Sequence, residues 1–406
     1  MAKPEIRLKG FEGEWKSKPL LDVVTLYNGL TYTPNDIREK GTLVLRSSNV
    51  QDGEISLLDN IYVKSEVASS PNVKIGDIIV VVRNGSRTLI GKHAQIKESM
   101  PNTVIGAFMA GLHTDEPNFM NALLSTSRFD DEVNKHLGAT INQITNGTFR
   151  SMYFQFPSKE EQQALGAYFL HLDSMLQSTA KKIESLKQMK SACLVSMFPQ
   201  ADETTPRVRF KGFEGEWDRK PLSDCLEISN EKNFDDKYGK ESVLSVSDDF
   251  GVMNQIELLG RSYAGKSVSN YGILKHGELV YTKSPLKSKP YGIVKENTGE
   301  TGIVSVLYAI YRAKDGYWIP YFHYYFDPAW RLNAYLRPLI NKGAKNTMNI
   351  SDETALAGYI IVPKDIKEQQ CIASYFRSFD KQISLQEQRL EKLKQIKAAC
   401  LDKMFV

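Results

Sequence analysis

The sequence predicts an α+β protein: two pseudo-twofold-related globular domains separated by an antiparallel two-helix coiled coil. Three observations predict it. Residues 4–22 (PEIRLKGFEGEWKSKPLLD) and 206–224 (PRVRFKGFEGEWDRKPLSD) are identical at thirteen of nineteen positions, at an offset of 202. Residues 161–198 and 368–405 agree at sixteen of thirty-eight positions, at an offset of 207. Both of these later segments place apolar residues at alternating steps of four and three, the seven-residue period of a coiled-coil seam. The 406-residue chain is therefore two tandem halves, each a globular segment followed by a long helix.

The first globular segment, 1–157, reads as strand and turn with a short helical stretch. A β-branched run follows the Gly76-Asp77 turn within residues 72–86 (NVKIGDIIVVVRNGS). A helix is expected over Phe119–Leu137, ending before Gly138. Residues 158–198 form the central helix. Ser158-Lys-Glu-Glu161 is a capping box, with Glu161 expected to reach back to the cap, and Pro157 opposes helix upstream. Its seam holds Leu165, Phe169, Leu172, Leu176, Ile183 and Leu186, with Thr179 and Lys190 as polar interruptions and Cys193 and Met197 continuing it.

Pro199 ends that helix, and 199–205 is a short polar linker. The second globular segment, 206–363, repeats the design. Its turn-and-strand unit lies at 271–285 (YGILKHGELVYTKSP), and a helix is expected over Pro320–Ile340, ending before Gly343. Residues 364–406 form the C-terminal helix, opened by Asp365-Ile-Lys-Glu368. Its seam holds Ile372, Phe376, Phe379, Ile383, Leu390 and Leu393, interrupted at Gln386 and Lys397 in the same register as the first. The linker holds the start of half two near the end of helix one. Pseudo-symmetry then predicts that Ile6–Trp15 lies near the end of helix two, which requires the helices to run antiparallel. Each helix, at about 1.5 Å per residue, spans roughly 55 Å.

Apolar residues make up 41% and charged residues 25%, ordinary for a globular protein. No run approaches the roughly 18 apolar residues that a membrane helix needs. The start, MAKPEIRLKG, lacks the apolar core of a signal peptide. A cytoplasmic protein without a membrane partner is expected. Cys193, Cys225, Cys371 and Cys400 form no CxxC pair, and the six histidines sit in no ligand pattern, so no metal site is expected. The net charge of +4, from 52 basic and 48 acidic residues, is a weak signal for nucleic acid, so any DNA-binding cations must be concentrated locally.

Catalytic motifs are missing. Adenine methylation requires an (N/D/S)PP(aromatic) loop to hold the flipped base. The only Ser-Pro dipeptides, Ser70-Pro71 and Ser284-Pro285, do not continue as one. Gly260–Ser267 (GRSYAGKS) matches the nucleotide-binding P-loop, but two glycines and no helical stripe follow Lys266, so a turn before a strand is expected.

DNA contact is expected from two pairs of loops. After the strand of domain one come Arg83, Asn84, Ser86, Arg87 and Lys92; Lys283, Ser284, Lys287 and Lys289 occupy the same place in domain two. Past the short helices lie Asn142 and Gln143 in domain one, and Lys345 and Asn346 in domain two. Arginine reads guanine bidentately, asparagine and glutamine read adenine, and lysine and serine suit phosphates. The tyrosine-rich run Tyr321–Tyr325 is expected in a core.

The doubled GFEGEW (10–15 and 212–217) and the doubled EQQ…YF…D…LKQ…K…CL..MF helix resemble the specificity subunit of type I restriction-modification systems, over the whole chain. The resemblance implies two target-recognition domains, separated by central and C-terminal helices, and no catalytic site or cofactor on this chain. It implies double-stranded DNA as a partner, two modification subunits that methylate adenine with S-adenosylmethionine, and restriction subunits that use ATP and Mg. Each domain would read half of a bipartite asymmetric target. The helix pair would set the spacer, and its outward faces with the GFEGEW elements would dock the modification subunits. The competing expectation is an autonomous two-domain DNA-binding regulator without enzyme partners.

Overall fold

The structure is a computed structural model that describes residues 3–137, 142–200, 203–284, 289–342 and 348–406. It divides into two compact units that cut across both long helices. The first unit comprises 1–181 and 387–406, the second 182–386. Among the described residues no helix is long and apolar enough to cross a membrane.

In the first unit the central sheet runs in the order Thr25–Asn28, Met109–His113, Ile78–Val81, His93–Gln95, all antiparallel. Ile78–Val81 is buried throughout, which explains its unbroken apolar run. Ile78 and Val80 join the core with Phe119, Phe129, Leu165, Phe169 and Phe405. Ile79 and Val81 join a separate core with Leu43, Leu45 and Ile105 of a second, mixed sheet. Lys16–Pro19 pairs antiparallel with Tyr153–Phe156, so the chain enters beside the strand that leads into the first long helix.

The second unit repeats the sheet order with Leu226–Ile228, Tyr308–Ala313, Leu279–Thr282 and Val294–Glu296. Asp218–Pro221 pairs with Tyr359–Val362 as its counterpart entry strand. Leu279 and Tyr281 face the large aromatic core, where Tyr321, Tyr324 and Tyr325 are buried; Val280 faces a smaller one.

The two helical stretches expected within the domains are each broken. Phe119–Leu137 divides into Pro117–Leu124 and Ser127–His136, where the Thr126 hydroxyl donates to the Leu123 carbonyl and turns the chain. Pro320–Ile340 divides into Ile319–Phe326 and Ala329–Leu336, because Pro328 has no amide to continue the ladder. Gly138 and Gly343 lie outside the described residues.

The long helices run Lys159–Ser196 and Ile366–Met404. Within each unit their segments are antiparallel. In the first unit Tyr168 and Asp173 meet Cys400 (3.3 Å) and Lys397 (2.5 Å). In the second, Tyr375 and Asp380 meet Cys193 (3.7 Å) and Lys190 (2.7 Å), the same contacts with the helices exchanged. Of the seam residues, Leu165, Phe169, Leu172, Ile183, Leu186, Ile372, Phe376, Phe379, Ile383 and Leu393 are buried, and Leu176 and Leu390 are half-buried. Gly166 admits the helix Pro117–Leu124, since a Cβ there would lie 2.8 Å from the Phe119 amide nitrogen.

The caps differ from the expected box. Ser158 Oγ accepts the Glu161 amide at 3.3 Å, and Asp365 Oδ1 accepts the Lys367 amide at 2.8 Å. The Glu161 carboxylate does not return to the cap: Arg7 Nε and Nη2 donate to it at 2.8 and 2.6 Å. The same arginine donates to the carbonyls of Gly13 and Glu12, folding the GFEGEW turn over it. Arg209 repeats this clasp on Glu368, Gly215 and Glu214. The Ile6 amide donates to the Lys403 carbonyl and Trp15 packs edge-on to Phe405, as pseudo-symmetry requires. The Val208 amide on the Ser196 carbonyl and Trp217 on Phe198 are their counterparts.

Candidate nucleic-acid interface

The strand Ile78–Val81 is anchored on both faces, so the residues beyond its end are presented from a rigid base. Arg83 forms an antiparallel bridge with Gln143, which joins two loops that are separate in the sequence. The Ile144 amide donates to the Val82 carbonyl (2.9 Å) and Asn142 Nδ2 to the Gly85 carbonyl (3.2 Å). Asn84 is half-buried. Its Nδ2 donates to Ser47 Oγ at 3.0 Å and its Oδ1 accepts the Ser86 amide at 2.9 Å. The side-chain amides of Asn84 and Asn142 are thus engaged in shaping the loop. Ser86, Arg83, Arg87 and Lys92 are exposed, and no carboxylate pairs with these three cations among the described residues. The Arg83 guanidinium lies 5.1 Å from the centroid of the Phe108 ring.

The matching place in the second unit is differently charged. Lys283 pairs with Asp352 at 2.5 Å. Lys289 is only 13% exposed; its Nζ donates to Asp248 Oδ1 at 2.6 Å and to the Asp327 carbonyl at 3.1 Å. Ser284 is half-buried, its amide bonded to Thr282 Oγ1. The partners of Lys283 and Lys289 come from the hairpin turn at Asp248, the end of the helix Ile319–Phe326 and the start of a short helix at Asp352, all far away in sequence, which the local pattern could not reveal. Lys287, Lys345 and Asn346 lie outside the described residues.

Beneath this place lies an ionic network. Lys295 Nζ reaches Asp327 at 2.9 Å, Lys190 reaches Asp327 at 3.3 Å, and Tyr324 donates to Asp380 at 2.7 Å. Burial disfavours the Asp327 carboxylate, but Lys295 and Lys190 beside it overcome that penalty and hold its pKa far below the usual range. Burial, with Lys295 next, pushes His323 down to about 4.

Two further segments pack against these loops and carried no sequence signal of their own. Ser47 and Ser48 form a short turn against Asn84; the turn Gly106–Phe108 supplies the ring beneath Arg83. The P-loop match is a turn: Gly260 ends a five-residue helix with φ 75°, and a strand at Gly272–Leu274 comes after Lys266 with no helix between.

Residues 12–188 match the type I restriction modification DNA specificity domain. The StySPI specificity subunit of Salmonella potsdam is 26% identical over 185 residues, 43% of this chain and 40% of that protein. The EcoKI specificity subunit of Escherichia coli K12 is 25% identical over 185 residues, 43% of this chain and 39% of that one. The aligned region thus spans about two fifths of the length of these curated relatives. The crystal structure of the type I restriction-modification S subunit from M. genitalium shares the fold, with a TM-score of 0.62 at 13% identity, covering 100% of this chain and 99% of that one. Residues 12–188 are thus similar to the type I restriction modification DNA specificity domain, and the chain as a whole shares the fold of that S subunit.

Proposed function

We propose that this chain is the DNA sequence-recognition subunit of a type I restriction-modification complex and is itself non-catalytic. One observation carries the reading: one set of contacts is built twice. In each unit an entry strand, an Arg–Glu clasp and a Trp–Phe pair tie a globular domain to antiparallel segments of the two long helices. Each domain reads one half of a bipartite, asymmetric target, chiefly in the major groove, through the loops after its buried strand. The helix pair sets the unread spacer. Two adenine-methyltransferase subunits dock on the outward helix faces and the GFEGEW turns, and restriction subunits join the full complex. S-adenosylmethionine, ATP and Mg belong to those partners.

The test is the spacer. Four residues inserted after Ile183 add about 6 Å of helix and rotate the downstream part of that helix by about 40°. Maps of methylated adenine from the assembled complex should then show a longer spacer, or no methylation. An unchanged spacer would remove the ruler from the mechanism.

A further inference from the structure

Each unit carries apolar side chains in the open at one equivalent turn. In the first, the strand Thr103–Ile105 passes into Met109–His113 through Gly106-Ala107-Phe108, and Phe108 is 51% exposed. In the second, Gly302–Val304 passes into Tyr308–Ala313 through Ser305-Val306-Leu307, and Leu307 is 58% exposed. Hydrogen bonds establish the equivalence independently. The Phe108 carbonyl accepts the amides of Val82 and Arg83, and the Leu307 carbonyl accepts the amide of Lys283. Both apolar tips thus sit beside the first basic residue beyond the central strand.

A solvated turn has no need of these residue types; glycine, asparagine, aspartate and serine suit it better. A single exposed apolar residue is ordinary. Here two domains that have diverged in sequence both expose apolar residues at the same turn, Phe108 in the first and Val306 with Leu307 in the second. None of these side chains belongs to a core cluster of its unit. In the first unit the ring also positions a cation, since Arg83 lies against it and has no carboxylate partner among the described residues.

We propose that Phe108 and Leu307 are specificity-determining contacts that meet a base edge in the major groove, where the 5-methyl group of thymine is the feature an apolar side chain recognises. The proposal rests on the reading of these loops as DNA-facing. In the first half-site Phe108 senses a thymine methyl while Arg83, held on the same ring, reaches a neighbouring guanine or phosphate. In the second half-site Leu307 supplies the corresponding apolar contact.

The assembled methyltransferase complex provides the test, as wild type, F108A, F108L, L307A and R83A. Methylated adenines are mapped, and binding is measured on duplexes in which deoxyuridine replaces thymine one position at a time. Wild type should lose about fourfold at one position in each half-site, the worth of one methyl group taken out of water. F108A should lose the penalty in the first half-site and relax base choice there, leaving the second intact; L307A should do the reverse. F108L should keep most of the penalty, which separates lost contact from lost folding. Wild type indifferent to deoxyuridine at every position, or F108A retaining the full penalty, would overturn the proposal. Should R83A relax the first half-site while F108A does not, the apolar contact is wrong and the DNA-facing reading stands. If neither variant alters that half-site, the reading of these loops falls as well.

Discussion

Arg331 carries its charge into the second unit's core without a carboxylate partner among the described residues. It is 5% exposed, on the helix Ala329–Leu336. Nη1 donates to the Tyr325 carbonyl at 3.0 Å and Nη2 to the Leu194 carbonyl at 2.8 Å. The guanidinium lies 4.8 Å from the Phe198 ring centroid and 5.2 Å from that of Tyr325. Leu194 is in the last turn of the first long helix, where carbonyls lack helical partners and the helix dipole is negative. A helix end and aromatic faces therefore balance the charge. Arg331→Met removes two charge-assisted hydrogen bonds, each worth about 1.5–3 kcal/mol, and leaves their acceptors dry. Against this, the methionine has no charge to desolvate, and burial already pushes the Arg331 pKa down. The net loss expected is about 2–3 kcal/mol. For a unit of this size that is roughly 5–10 °C in Tm. Arg331→Lys keeps the charge but not the planar fork, so about half of the loss is expected. Hydrogen exchange read by mass spectrometry should show the lost protection in peptides of 182–386 and not in those of 1–181. A loss under about 0.5 kcal/mol for the methionine variant, measured by denaturant melts, would refute the reasoning. So would a loss of protection shared equally by the first unit.

His323 makes the second unit acid-sensitive. Its buried Nδ1 has no hydrogen-bond partner among the described residues, and its folded pKa near 4 lies below the ordinary 6.5, so protons bind the unfolded chain first. Stability should fall as pH drops from about 6.5 toward 4, before Asp327 titrates, and His323→Gln should flatten that slope in melts across the range. Arg7→Met strips a carboxylate that is 2% exposed of its bidentate partner and should cost about 2–3 kcal/mol, with Arg7→Met/Glu161→Leu recovering most of it in a double-mutant cycle. Arg87→Ala should weaken DNA binding on all sequences alike and reduce the slope of log K against log salt by about one. Lys289→Ala should leave that slope unchanged while lowering the melting temperature of the second unit, because its charge is already neutralised.

The architecture was legible because its signals are local. Two copies of a motif, a heptad stripe and a cap at the start of each long helix need only short stretches of chain to be seen, and burial along Leu165–Leu186 and Ile372–Leu393 keeps that period. The strand Ile78–Val81 was legible for the same reason, as an apolar run between turns. Partners were not. Arg7 takes the carboxylate of Glu161 across 154 residues, although the local pattern offered it to a cap. Asp248 and Asp327 withdraw Lys289 from solvent, although its loop reads as an exposed basic turn. Arg83 meets Gln143 and Phe108 only because sheet pairing brings three separate turns to one place. By itself the sequence determined the periodic elements, whose hydrogen bonds close within a few residues. Only the tertiary structure decided which charges remain free for a ligand, because neutralising a buried charge depends on whatever group the fold brings within about 3 Å, at any distance along the chain.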